Sequence, residues 1–293
     1  AQRGHTVNLL DGKKHVFKHF GSGTLTGADT YCPSEFILNP MEFVRELNDL
    51  QQLFISPVVY VESLCRWSTP YDMIINQVVE AAREDKKHGS CGMGIWETVL
   101  RYSKMKTYTL DEFCYLPKEF KVKYLKDIKL YFENRGVKLP KELVEPWNSD
   151  FLIEHFIQDC HTLKFMAKPV KSITEIYHDY QEVICENGQG LLLNSNPFDD
   201  HTTPSNTGSH DGMAILASGL NLPNDAITVH YVTRPYLTRH GDGYLIGETD
   251  KNHIASSVPE DRTNHYNDTQ GHFRYAALDI HDLASRIGFD FMR

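Results

Sequence analysis

Glycine-rich turns recur where short apolar runs end, and this pattern constrains the chain more than any other feature. Phe20-Gly-Ser-Gly-Thr-Leu-Thr-Gly27, His88-Gly-Ser-Cys-Gly-Met-Gly94 and Glu186-Asn-Gly-Gln-Gly190 are the main examples. Between them lie segments with strand or helix periodicity. Val7 to Phe17 reads as two short strands about an Asp11-Gly12 turn, a hairpin signal. Pro40 opens a helix through Leu50, since proline suits a first helical turn. Val58-Val-Tyr-Val-Glu62 is a β-branched run of the kind buried in a sheet. Tyr71 to Lys87 sets Ile74, Ile75, Val78, Val79 and Ala82 on one helical face. Gln181 to Cys185 and Ala226 to Thr233 read as strands, and Asp279 onward as a helix.

Strands and helices that alternate with glycine at the joints predict an α/β fold. We expect a mixed, largely parallel central sheet with flanking helices and ligand loops at strand ends. Thr109 to His161 is charged, amphipathic and broken at Gly136–Pro140, which predicts an inserted helical lobe over about 105–165. No internal repeat, low-complexity tract or linker composition interrupts the rest, so residues 1–293 read as a single domain carrying that insertion.

Composition excludes some functions. Thirty basic against 39 acidic side chains give a formal charge of -9, which does not suit the broad phosphate-neutralising surface of a DNA or RNA binder. A small anionic nucleotide still fits, because it needs only a nest of N–H groups and an arginine or two. No apolar run reaches the length of about 18 residues that spans a membrane. Six cysteines without a C-x-x-C pair read as free thiols in a reducing cytoplasm.

The motifs that carry chemistry are loop motifs. In Gly4-His5-Thr6-Val7, an imidazole next to a glycine before a strand can sit over a phosphate as a general acid or electrostatic stabiliser. The glycines of His88–Gly94 allow close backbone approach, and the N–H groups of Ser90, Cys91 and Gly92 can form an anion nest. This segment is neither a G-x-x-x-x-G-K-[ST] loop nor a dinucleotide G-x-G-x-x-G. Gln189, between two glycines at a strand end, is placed to hydrogen-bond a substrate carbonyl or phosphate. Thr202-Thr-Pro-Ser-Asn-Thr-Gly208 offers hydroxyls and turn N–H groups to a phosphate. Tyr236-Leu-Thr-Arg-His-Gly-Asp-Gly243 and the long polar stretch Asp261–Tyr275 have the character of a ligand lid. Taken singly, each also reads as an ordinary turn or surface loop.

Their order is more specific. Gly-His-Thr-Val, Gly-Ser-Cys-Gly-x-Gly, Gly-Gln-Gly-x-Leu-Leu, Thr-Pro-Ser-Asn-Thr, Leu-Thr-Arg-x-Gly-x-Gly and a polar loop ending in Leu278-Asp279 together resemble the adenylosuccinate synthetase family. The resemblance runs from Gly4 to Asp279. It implies that family's P-loop-NTPase-like fold and its reaction, in which the 6-oxo group of a purine nucleotide is phosphorylated by a nucleoside triphosphate and aspartate displaces the phosphate. Mg²⁺ and positioned donors stabilise the developing charge.

The resemblance also assigns roles. His5 supports phosphoryl transfer to O6, and Gly4 lends its carbonyl to Mg²⁺. Ser90, Cys91, Gly92 and Thr203 hold the acceptor's 5′-phosphate, with Cys91 standing where the family has threonine. Gln189 orients the purine carbonyl or the phosphoryl group. Leu193 and Arg239 line the acceptor site, and Arg101 reaches the phosphate of a neighbouring subunit in a homodimer. Thr263, Asn264, Gln270 and Arg274 belong to the loop that takes L-aspartate.

The departures carry information. The aspartate loop has a single late arginine, and the segments at Phe20 and Gly89 resemble the phage relatives called 2-aminoadenylosuccinate synthetases. That branch implies dGMP as acceptor and ATP or dATP as donor. The alternatives are the housekeeping form, with IMP and GTP, and a catalytically inactive nucleotide-binding protein of the same fold. The family's first strand with its Gly-Lys loop, and the segment that reads the donor base, find no counterpart in this sequence. The chain is therefore expected to be inactive by itself, and to expose sheet edges. A cytoplasmic enzyme is implied, in the host if phage-encoded.

Overall fold

The computed structural model describes residues 4–10, 12, 14–84, 89–186, 191, 219–220, 222, 226–240, 244–254 and 273–291. The chain divides into two compact units, residues 1–76 with 93–188, and residues 77–92 with 189–293.

The first unit opens with the expected hairpin. β1 (His5–Asn8) pairs antiparallel with β2 (Lys14–Phe17), and Gly12 turns the chain at φ 82° while donating its N–H to Leu9 O at 3.0 Å. β3 (Thr30–Cys32) follows, then β4 (Ile37–Leu38). Asn39 caps α1 (Pro40–Gln52) by accepting from Glu42 N–H, and Pro40 supplies the preset φ of a first turn. α1 carries the chain across to β5 (Val59–Glu62), which lies at the centre of a parallel sheet ordered β3-β5-β7. Val59 and Val61 are buried while Tyr60 and Glu62 alternate with them, the period of two that a strand imposes. β6 (Arg66–Trp67) pairs parallel with β4. β7 (Ala167–Val170) contains Pro169, tolerated because β7 is an edge strand.

Residues 110–166 carry four helices. α2 (Pro70–Ala81) and α3 (Ile95–Lys104) precede them; the four are α4 (Leu110–Tyr115), α5 (Lys118–Glu133), α6 (Lys141–Trp147) and α7 (Asp150–Met166). Thr109 and Glu112 close a reciprocal capping box on α4. α7 packs against α1, α4 and α5. The core here is aromatic: Trp67 lies 4.9 Å from Phe113 and 6.0 Å from Phe156 between ring centres, and its indole N–H donates to Tyr108 O at 2.8 Å.

The second unit carries an antiparallel sheet, β8 (Tyr236–His240), β9 (Glu248–Thr249) and β10 (Phe273–Ala277), in the order β8-β10-β9. Its last helix, Ile280–Phe291, is capped by Asp279, whose Oδ1 accepts from the N–H groups of His281 and Asp282. The fold is thus mixed α/β, parallel in the first unit apart from the β1–β2 hairpin and antiparallel in the second.

Two strand assignments do not hold. Residues 181–185 are irregular, and 227–233 contain no strand; β8 begins at Tyr236. Ile184 is 76% exposed and Val232 93%, so these β-branched residues have no sheet face to pack on, and strand propensity depends on that packing. α2 ends at Ala81, short of Lys87. Among the described residues no helix is long and apolar enough to cross a membrane.

Candidate active site

The glycine turn after α2 is ordered by side chains of that helix. Gly89 and Gly92 take φ 76° and 73°. Glu80, fully buried, accepts the N–H of Gly89 at 2.7 Å and of Ser90 at 3.2 Å on Oε1, and pairs with Arg83 through Oε2. Gln77 Nε2 donates to Gly92 O at 3.2 Å, and Gly92 N–H donates to Ser90 Oγ at 3.3 Å. The expected nest of Ser90, Cys91 and Gly92 N–H groups is therefore partly engaged from within: a carboxylate takes the Ser90 N–H, and a hydroxyl the Gly92 N–H. Cys91 is exposed. Glu80 was missed in the sequence because a single acidic residue at a helix end has no signature; only the returning loop gives it a role.

Gly94 opens α3 in the first unit at φ 73°, with its N–H donated to Asn76 Oδ1 at 3.2 Å. A Cβ there would lie 2.6 Å from the Asp72 carbonyl carbon, so only glycine fits without the backbone moving.

Arg101, expected to reach a neighbouring subunit, is placed otherwise. Its side chain is wholly buried, Nε lies 2.9 Å from Asp72 Oδ1, and NH2 donates to Asp72 Oδ2 at 3.0 Å and to Trp67 O at 2.8 Å. The guanidinium joins α2 to α3 through Asp72, and its NH1 is buried without a hydrogen-bond partner among the described residues. The Asp72 partner lies 29 positions away, too far for local sequence to show the pair.

His5 stands on β1, half-buried, with Nδ1 3.8 Å from Glu186 Oε2. Glu186 also accepts from Ser22 N–H at 3.1 Å and from the Ser22 hydroxyl. One carboxylate thus faces the imidazole and the Phe20–Gly27 turn together, an arrangement that can fix the ring's orientation. Gly4 lies exposed at the start of β1. Its carbonyl is a hard oxygen of the type Mg²⁺ takes alongside substrate phosphates. Among the described residues no group of three His, Cys, Asp or Glu side chains gathers to hold a metal.

Arg239 and Arg274 face each other across β8 and β10 in the second unit. Directly opposed residues share a sheet face, so two guanidinium groups lie on one side. Arg274 holds Glu248 with two bonds, Nε to Oε1 at 2.8 Å and NH2 to Oε2. The hydrogen bond from Arg274 keeps the Glu248 carboxyl below its ordinary range. Arg239 is buried and donates to Tyr244 O at 3.3 Å. Arg274 belongs to a strand and not to a loop, because Phe273–Ala277 pairs on both edges. Gln189, Leu193, Thr203, Thr263, Asn264 and Gln270 lie outside the described residues.

Comparison with known proteins bears on these features. The family model described as adenylosuccinate synthetase matches residues 1–282. Adenylosuccinate synthetase 2 of Chromobacterium violaceum is 25% identical over 248 residues, covering 82% of this chain and 55% of that protein. The chain thus spans about half the length of the curated relatives it matches. Two solved structures share the fold. Fully ligated adenylosuccinate synthetase from Plasmodium falciparum gives a TM-score of 0.67 at 18% identity, covering 96% of this chain and 64% of that one. Cyanophage S-2L succinoaminodeoxyadenylate synthetase (PurZ), bound to dGMP and dATP as an energy donor, gives 0.60 at 14% identity, covering 98% and 71%.

Proposed function

The chain belongs to the adenylosuccinate synthetase family, and on that premise we propose that it acts in an ATP-dependent ligase joining L-aspartate to C6 of a purine nucleotide, with dGMP as acceptor. The family match carries the reaction class. The fold shared with a phage synthetase bound to dGMP and dATP supports the acceptor and an adenine-nucleotide donor.

The chemistry is two displacements. The purine loses its N1 proton to solvent as O6 attacks the γ-phosphorus of the donor and a nucleoside diphosphate leaves; the aspartate amine then adds at C6, sheds a proton to solvent, and inorganic phosphate leaves. His5, braced by Glu186 at 3.8 Å, donates to the phosphoryl oxygens or O6 as charge builds there. Gln189 orients the 6-substituent. The Gly89–Gly92 loop, with Thr203, takes the acceptor phosphate, and Leu193 and Arg239 line the acceptor. Two arginines on one sheet face suit a dicarboxylate such as aspartate, and Thr263, Asn264 and Gln270 are assigned to the same substrate by the family resemblance. The Gly4 carbonyl would help hold Mg²⁺, which would supply charge neutralisation when bound. A homodimer and a cytoplasmic site of action belong to the same proposal.

The second reading is the housekeeping reaction with IMP and GTP, favoured by curated relatives such as the Chromobacterium protein. The deciding experiment uses the protein at its natural length with ATP, Mg²⁺ and aspartate. Phosphate release that needs dGMP supports the first reading; release with IMP alone, and GTP as donor, transfers support to the second. His5→Ala should lose nearly all turnover while keeping acceptor affinity, and unchanged turnover would remove His5 from the site.

A further inference from the structure

We propose that Glu80 is the positioning residue that presets the Gly89–Gly92 loop to receive a phosphate, an inference that rests on the loop's assignment to the acceptor phosphate above. A loop with left-handed glycines at 89 and 92 has little conformational preference of its own, because glycine populates both signs of φ. Something else must hold it, and the last turns of α2 do. Gln77 and Glu80, three residues apart, lie on one helix face. Glu80 grips the start of the loop through the N–H groups of Gly89 and Ser90, and Gln77 grips its end through Gly92 O.

The grip costs a buried carboxylate, since Glu80 is fully buried, and such a charge persists only where donors and a counter-charge meet it. All three are present: two backbone N–H groups on Oε1, and Arg83 on Oε2. Arg83 also makes the pair close to neutral, so Glu80 does not repel an arriving phosphate as a bare carboxylate would. Within the gripped loop Ser90 Oγ accepts the Gly92 N–H, which fixes the hydroxyl oxygen against the loop backbone. The ordering cost is thus met in folding and not in binding, which is the advantage of preorganisation.

Calorimetric binding of dGMP and of IMP, each compared with its nucleoside, tests the idea, because the nucleoside lacks only the phosphate. In the native protein the nucleotide should bind well ahead of the nucleoside. Glu80→Ala should weaken nucleotide binding by about 10- to 100-fold, the loss expected from releasing charge-assisted hydrogen bonds, and leave nucleoside binding as it was. Glu80→Gln retains an oxygen for both N–H groups and should stay within about threefold of the native affinity. Native protein that binds nucleoside and nucleotide alike would overturn the loop's phosphate assignment, and this inference with it. A native phosphate preference that survives intact in Glu80→Ala would overturn the inference alone. Should that variant fail to fold, Glu80→Asp decides: it keeps the charge but withdraws the oxygens by one methylene. An unchanged phosphate preference there overturns the inference, and a reduced one supports it.

Discussion

Single buried residues in the first unit set much of its behaviour. His19 is wholly buried: its Nε2 accepts the Asn39 N–H at 2.9 Å, while Nδ1 lies 3.7 Å from Glu46 Oε2. Burial pulls its pKa below the ordinary 6.5, and the opposing effect of Glu46 does not overcome it. The folded protein therefore holds neutral His19, whereas the unfolded chain takes up a proton near 6.5. Stability from this group is complete above that pH and is lost as pH falls from there through the lowered folded value. The melting temperature, followed from about pH 7.5 to 5.5, should drop on the acid side. His19→Gln should flatten that part of the slope; an unchanged slope would assign it to other groups.

Arg101 and Asp72 make the second prediction at this scale. Both side chains are fully buried, so removing one strands the other. Arg101→Ala should cost about 3–5 kcal/mol in urea unfolding. Arg101→Met combined with Asp72→Asn should recover a good part of it, because the amide oxygen introduced at position 72 can still accept from Thr69 and no charge is left alone. A double variant no better than the single one would show that the pair acts through its packing on Trp67 and Tyr102.

At the scale of elements, helix ends and glycine joints decide where the chain turns. Gly27 and Gly94 both adopt left-handed φ, but their surroundings differ. A Cβ on Gly27 meets nothing within 4 Å, whereas one on Gly94 meets the Asp72–Met73 backbone at 2.6–2.8 Å. Gly27→Ala should cost only the left-handed penalty of about 1–2 kcal/mol. Gly94→Ala should cost more, on the order of 3 kcal/mol or above, since α3 must shift off α2. Equal losses in chemical denaturation would mean that the α2–α3 approach is soft. Glu80 and Gln77 belong to the same account: one face of α2 holds the turn that leaves it.

For the whole molecule, burial sorts the thiols. Cys32, Cys65, Cys114 and Cys160 are buried, and Cys91 and Cys185 are exposed. Burial pushes Cys32 up to about 12 and Cys114 up to about 11, so neither yields a reactive thiolate near neutrality. Ellman's reagent should titrate two of the six cysteines in the native protein and all six in guanidinium. Fast reaction of four or more under native conditions would contradict the packing of the sheet against α1 and α7.

What the sequence determined by itself was local. The hairpin at Gly12, the helix opened by Pro40, the buried run at Val59–Val61, the helices of residues 110–166 with their break at Gly136 and the helix after Asp279 all rest on periodicity, caps and turn residues, which act over a few positions. The order of the loop motifs likewise pointed to the family that the comparisons confirm. What only the tertiary structure decided were pairings between distant residues. Residues 181–185 and 227–233 have strand-like composition but pair with no edge among the described residues, and a strand exists only when paired. Arg101 became an internal ion pair because Asp72, 29 residues away, meets it in the core. Glu186 joined His5 and Ser22, and Arg239 came to face Arg274, through separations of tens to more than a hundred residues. Short-range preference is written in adjacent residues. The partner of a buried charge is set by which elements pack together, and that follows from burying the whole apolar surface at once.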